Sequence, residues 1–431
     1  FINLHGFLDN PTFRGMRWNL LKTYDKIYTI DLHGNAKKKE TAPDGSADIN
    51  VFDIEQGVSI NIFVKTGKKK SNELGQVFHY DLFGKRDFKY DFLIENSLKT
   101  IDYQKLPNNA PNYFMVQKDY EVEDIYKKGF FIKDLFPLNS LGLLTKRDNL
   151  AIGFNSEELK SKIEHFLNQD ITTEEVCKYY NLVIKDKDKW DANITRSNVS
   201  KDEIIGQIQR IQYRPFDFRK VFYNSYFVAR QNPKVLSHLI NENIGLIICR
   251  QGQAACGNDW NVVFSSKNLT DQNIYRRGGG TVFPLYLYPE ETNQISTENS
   301  STKRTPNLNL KIVNKIAKKI GLEFVEDHEL LKQVEHNKYF SPLDLLDYIY
   351  AVLHSPTYRE KYKEFLKIDF PRVPFPITRG LNPLQIKERF WQLVQLGSEL
   401  RQLHLLESDK VNDFITNYTG EGDNSITRKI T

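Results

Sequence analysis

Residues 50–65 set the tightest limit on what this chain can fold into. Val58, Ile60, Ile62 and Val64 alternate with Ser59, Asn61 and Phe63, the period-2 pattern of a strand. The eight residues before them, Asn50 to Gly57, are mostly polar, carry one aromatic ring and end on glycine. They predict a loop feeding that strand. Phe52 in this loop has two readings: a ring offered to a ligand, or a core residue closing a sheet edge.

The pattern around the strand alternates. Residues 13–21 predict a helix with Arg14, Arg17 and Lys22 on its polar side, and 26–32 predict a strand. A polar excursion over 33–50 carries the turn formers Gly34, Pro43 and Gly45. Residues 76–81 predict another strand and 86–98 a helix. Residues 1–115 therefore read as α/β. Phe1 opens inside a patterned segment and is not an initiator Met, so the chain is expected to begin mid-domain, as a fragment.

Residues 116–205 are charged and predict helices over 156–167 and 173–180, the texture of a coupler between working domains. From 206 to 431 short β-like runs appear at 220–226, 244–250, 262–265 and 282–288, separated by Gly, Asn and Asp. A loose polar loop is expected over 300–307. A helix over 343–353 has Pro342 in its first turn and Asp344 and Asp347 near its start. One over 383–406 carries Ile386, Phe390, Leu393, Val394, Leu400 and Leu403 at helical spacing, a core stripe. This last region reads as mixed α+β.

Hydrophobic residues make up 40% of the 431 and charged residues 27%, ordinary for a soluble globular chain. Apolar runs are far short of a membrane span, and no secretory signal is expected. No membrane partner is expected, and the location expected is cytoplasmic. Cys177, Cys249 and Cys256 have neither disulfide nor zinc spacing; buried free thiols and no metal are expected.

The net charge of +5 is modest, and clustering is more informative than the total. Lys37, Lys38 and Lys39, with the run 68–70, bracket the opening strand. They are either solvated loops or phosphate contacts. Residues 213–219, Tyr-Arg-Pro-Phe-Asp-Phe-Arg, concentrate groups that suit DNA. Arg214 and Arg219 can take a guanine edge or a phosphate, although Arg214 could instead pair internally with Asp217. Arg230, followed by Gln231 and Asn232, and Arg250 with Gln251 add donors. Arg276 and Arg277 precede three glycines as a flexible basic turn. No glycine-rich cofactor loop, GxSxG elbow, HExxH or Walker sequence occurs. Nor does an Asn/Asp/Ser-Pro-Pro-Tyr/Phe tetrapeptide, so no catalytic residue is assigned. Glu158-Leu159-Lys160 matches the tail of a nuclease motif, but no Pro-Asp pair precedes it.

Several stretches together resemble one family. They are 7–17 (Phe-Leu-Asp-Asn-Pro-Thr-Phe-Arg-Gly-Met-Arg), 30–35 (Ile-Asp-Leu-His-Gly-Asn) and 50–54 with Gly57-Val58. Tyr213-Arg214-Pro215-Phe216-Asp217, 283–289, 347–356 and 403–407 continue the series. In this order they resemble type ISP and type IIG restriction–modification proteins. The resemblance implies adenine-N6 methylation of DNA by S-adenosylmethionine, with the cofactor site and the catalytic tetrapeptide mostly upstream of this chain. It implies a truncated methyltransferase-type sheet over 1–115, a helical coupler over 116–205 and a target-recognition domain over 206–431. The partners are then double-stranded DNA and the upstream catalytic half of the same protein. By motif position Phe52 would stack on the extruded adenine. On this reading the chain alone is inactive. A stand-alone DNA-specificity subunit is the alternative.

Overall fold

The computed structural model describes residues 1–36, 40–70, 72–187, 189–249, 260–275, 279–289, 304–327, 329, 338–366, 369–377 and 380–417. The chain divides into two compact units, Phe1–Ile125 and a second beginning at Tyr126.

In the first unit five strands form one sheet. They are Ile2–Leu4 (β1), Lys26–Asp31 (β2), Val58–Val64 (β3), Gln76–Asp81 (β4) and Gln104–Leu106 (β5), in the order β1-β3-β2-β4-β5. β2 and β4 are parallel, and β3 lies antiparallel between β1 and β2. Helices Arg14–Thr23 (α1) and Arg86–Glu95 (α2) accompany the sheet. β3 covers the residues its alternation predicts, with one difference. Ser59 and Asn61 are buried like Val58, so both faces of its first half are covered. Asn61 answers by donating to the Ser59 carbonyl and hydroxyl at 3.1 and 3.0 Å. Apolar clusters form on the two sides of the sheet. Leu21, Ile27 and Val77 belong to one; Ile30, Val51, Val58 and Leu82 belong to the other. Val51 is therefore an anchor for the loop that holds Phe52, worth about 1.5–3 kcal/mol of burial.

The second unit contains two four-stranded sheets. The first joins Ile152–Gly153, Ile208–Arg214, Asp217–Phe222 and Leu269–Thr270, and its long hairpin has a register shift between Asp217 and Phe218. The second places the buried strand Gly245–Ile248 between Val263–Ser266 and Thr281–Pro284. Helices Ser156–Leu167 and Thr173–Tyr179 form where expected, the latter opened by a Thr172–Glu175 capping box. Their residues Leu159, Ile163, Phe166 and Val176 share one core with Phe222 and Phe227. The stretch read as a coupler thus packs on the hairpin that follows it.

Helices Pro342–His354 and Pro383–His404 cross closely. Gly397 permits this, since a Cβ there would overlap the Asp347 carbonyl. Arg401 holds Asp347 bidentately at 2.6 and 3.0 Å. The buried line is Phe390, Val394, Gly397 and Arg401, whereas Ile386, Leu393, Leu400 and Leu403 are half-buried. Cys177 and Cys249 are buried free thiols. No helix among the described residues is long and apolar enough to cross a membrane.

Candidate functional site

The loop before β3 is tied down from beneath and open above. Asn50 starts it with an Asx turn: its side-chain oxygen accepts from Phe52 N at 2.9 Å and its amide donates to Gln56 O at 2.7 Å. One face of α2 supplies the rest, through residues spaced i, i+3 and i+4. Arg86 donates to Asn50 O at 2.9 Å and to Asp53 at 2.7 Å, and the Tyr90 hydroxyl donates to Val51 O at 2.6 Å. Between them Lys89 donates to Leu32 O at 2.6 Å and Ile49 O at 2.9 Å, and pairs with Asp48 at 2.7 Å. Both side chains of that pair are fully buried. Asp48 in turn accepts from Gly34 N and Gly84 N. Gly34 has φ +74 and lies so close to Asn50 that a Cβ would overlap its backbone. The result is a rigid loop on which Phe52 stays 42% exposed, so the core reading of this ring does not apply. Phe52, Ile54, Asn50, Asp53 and Arg86 line an open cleft of about 410 Å³.

Beside the loop, polar side chains gather at the carboxyl ends of β2 and β4. His5 meets Asp31 at 3.0 Å, and His33 lies between Glu40 at 3.0 Å and Asp81 at 2.8 Å. His79 adds a contact to Asp81 at 3.1 Å. Burial pulls the His33 pKa down, but the Asp81 and Glu40 carboxylates outweigh it and push the ring up to about 10. The same bonds hold Glu40 down to about 2 against its own burial. Ligand atoms of His5, Asp31 and His33 lie within 4.8 Å of one another, a donor set that could suit a metal. Both ring nitrogens of His33 already face carboxylates, however. These contacts tie the ends of β2 and β4 to each other and to the loop that carries Glu40.

In the second unit the cations expected at 213–230 come together around a hairpin. The guanidinium groups of Arg214 and Arg219 lie over the Tyr213 ring, at 4.0 and 4.3 Å from its centroid. The expected Arg214–Asp217 pair does not form. Arg214 pairs with buried Asp271 at 3.0 Å, and Asp217 pairs with Arg219 at 2.9 Å. Arg214 and Asp217 are cross-strand partners, but each has a competing partner: Arg219 shares a face with Asp217, and Asp271 lies just past the neighbouring strand Leu269–Thr270. Burial pushes the Asp271 carboxyl up to about 6, with Arg214 opposing. Arg230 donates to Gln272 at 2.9 Å, next to the residue that holds Arg214. Arg210, exposed on the same hairpin, stacks on Phe218 at 4.3 Å. Sequence reading missed Arg210, and also Arg86, Lys89 and Tyr90, although their helical spacing was visible. Lys69 donates to Lys22 O and Glu73 O at 3.0 and 2.7 Å, a local structural role. Lys37, Lys38, Lys39, Arg250, Gln251, Arg276 and Arg277 lie outside the described residues.

A family model described as the Type ISP C-terminal specificity domain matches residues 134–430, well over half of the 431. The chain belongs to this family. The specificity-domain match begins inside the stretch expected as a coupler. Solved structures extend the likeness to both units. A cryo-EM DrdV–DNA complex is 22% identical with a TM-score of 0.62, over 94% of this chain and 37% of that one. The ATP-dependent Type ISP restriction-modification enzyme LlaBIII bound to DNA is 22% identical, TM-score 0.61, over 94% and 25%. A nuclease-deletion mutant of the Type ISP enzyme LlaGI with a DNA substrate mimic is 20% identical, TM-score 0.56, over 94% and 29%. At these identities the likeness is one of fold. The chain spans between a quarter and two fifths of the length of these structures. No curated protein matches it.

Proposed function

We propose that this chain is the target-recognition part of a restriction–modification DNA adenine-N6 methyltransferase. Its second unit binds a specific site in double-stranded DNA, and its first unit holds the extruded adenine against Phe52. Membership of the specificity-domain family over 134–430 supports the first half of this reading, and so do solved structures of similar fold that are complexes with DNA. One observation carries the second half: a half-exposed ring on a loop held rigid by Asn50, Arg86, Lys89 and Tyr90 beside an open cleft. A base taken out of the duplex needs a π-face in place of its lost neighbours, and stacking of this kind is worth about 1–3 kcal/mol per base.

S-adenosylmethionine would supply the methyl group. The cleft offers one ring face and polar edges, which fit a planar base. The sequence has no glycine-rich strand-to-helix turn to cradle the donor. We therefore assign the donor site and activation of the amino group to the upstream catalytic half. Such an enzyme works in the cytoplasm.

Phe52→Ala in the full-length protein should lower methylation by about 5- to 150-fold, the range of one lost stacking contact. Duplex affinity should be unchanged, since phosphate contacts dominate it. Full methylation by a well-folded variant would remove the base-holding role. The rival, a stand-alone specificity subunit, requires that the coding sequence before Phe1 hold no cofactor motif and no Asn-Pro-Pro-Tyr. The much greater length of the matched structures favours the fused enzyme.

A further inference from the structure

Phe216 occupies a position that ordinary turn chemistry reserves for glycine. It is the second of two residues, Pro215 and Phe216, that link strands Ile208–Arg214 and Asp217–Phe222. Its φ is +62. Proline followed by a positive φ is the type II turn pattern, and Gly or Asn normally fills that second place. A bulky ring in the left-handed region carries backbone strain. Burial does not explain the choice, because Phe216 is 51% exposed. Edge-to-face contacts with Phe264 at 5.4 Å and His404 at 6.0 Å aim the ring without covering it. On the same hairpin Arg214 and Arg219 stack on Tyr213 and pair with Asp271 and Asp217.

Strain held at an exposed aromatic that its neighbours aim outward from a hairpin turn is a combination with a direct use on nucleic acid: the ring can meet a base face. We propose that Phe216 is a stacking platform for a nucleobase of the recognised duplex, at a step the hairpin opens. This rests on the DNA-recognition reading above and names a residue for it. An aromatic or apolar wedge at a base step is a general means of holding distorted DNA, and its sequence preference comes from how readily that step unstacks.

The test separates strain from use. The full-length protein selects its site from a pool of random duplexes, and affinity for that site and for unselected duplex is then measured for wild type, Phe216→Gly and Phe216→Trp. Glycine relieves the positive φ, so the melting temperature without DNA should hold or rise. Affinity for the selected site should fall by about 5- to 150-fold, affinity for unselected duplex should not change, and tryptophan should retain site binding. A melting temperature that falls in Phe216→Gly with site affinity intact overturns the inference and makes the ring structural. Equal loss on all duplexes also overturns it. If wild-type protein selects no site, the recognition reading itself fails, and the inference with it.

Discussion

Lys89 carries the largest single consequence in the first unit. Its three N–H donors go to Leu32 O, Ile49 O and Asp48, with no exposure to water. Removing one partner of a buried pair leaves the other charge uncompensated, at about 3–5 kcal/mol. Lys89→Met should therefore lower the unfolding free energy by an amount in that range, read as an earlier denaturant midpoint at unchanged slope, with the carbonyls of Leu32 and Ile49 also unsatisfied. Lys89→Met combined with Asp48→Leu should recover part of the loss, because no lone buried charge remains. Equal stability of the single and double variants would show that the pair is not what holds the loop. The same residue helps to support Phe52: with Arg86 and Tyr90 it holds the carbonyls of Ile49, Asn50 and Val51, which lead into the exposed ring.

At the scale of elements, helix Pro342–His354 ends on a pH-dependent contact. His354 Nδ1 donates to Tyr350 O at 2.8 Å. Burial, with the Arg359 charge behind it, pushes its pKa down from 6.5 to about 4. The unfolded chain therefore binds more protons between these values, and stability rises with pH across that window. The contribution is complete above 6.5 and is lost as pH falls through 4; it amounts to at most about 3 kcal/mol before solvent screening. His354→Gln should flatten the stability–pH curve there, as read by urea melts, and an unchanged slope would assign the effect to other groups. Elements with local signals were legible in the sequence. The caps Thr172–Glu175 and Ser341–Asp344 mark helix starts, and clean alternation marks β3 and β4. Strand Ile208–Arg214 was not legible, because Gln209, Arg210 and Gln212 mask its alternation. Gln212 is nonetheless fully buried. Helix Leu310–Ile320 was also missed, although Asn309 caps it and Gly321 ends it at φ +67. For the site, residue types were readable but partners were not. Arg214 chose Asp271 rather than Asp217, and the supports of Phe52 come from a helix more than thirty residues away.

For the whole molecule, charge decides how DNA would be held. Lys and Arg number 60 against 55 Asp and Glu, so the chain as a whole attracts a polyanion only weakly. Many cations are also committed internally: Lys89 to Asp48, Arg147 to Asp186 and Arg401 to Asp347. Arg17, fully buried, donates to the carbonyls of Phe7, Asn10 and Asn112. Binding must then depend on local groups such as Arg210, whose guanidinium stacks on Phe218 at the exposed side of the hairpin. Each phosphate so neutralised releases counterions and contributes about −0.9 to the slope of log affinity against log salt. Duplex affinity of the full-length protein should fall linearly on that plot. Arg210→Ala should reduce the slope by about 1 and weaken selected and unselected duplexes alike. Loss confined to the selected site would instead make Arg210 a base reader. Affinity that does not fall with salt would mean that this surface does not meet phosphates, and the recognition reading would then have to find its contacts elsewhere in the second unit.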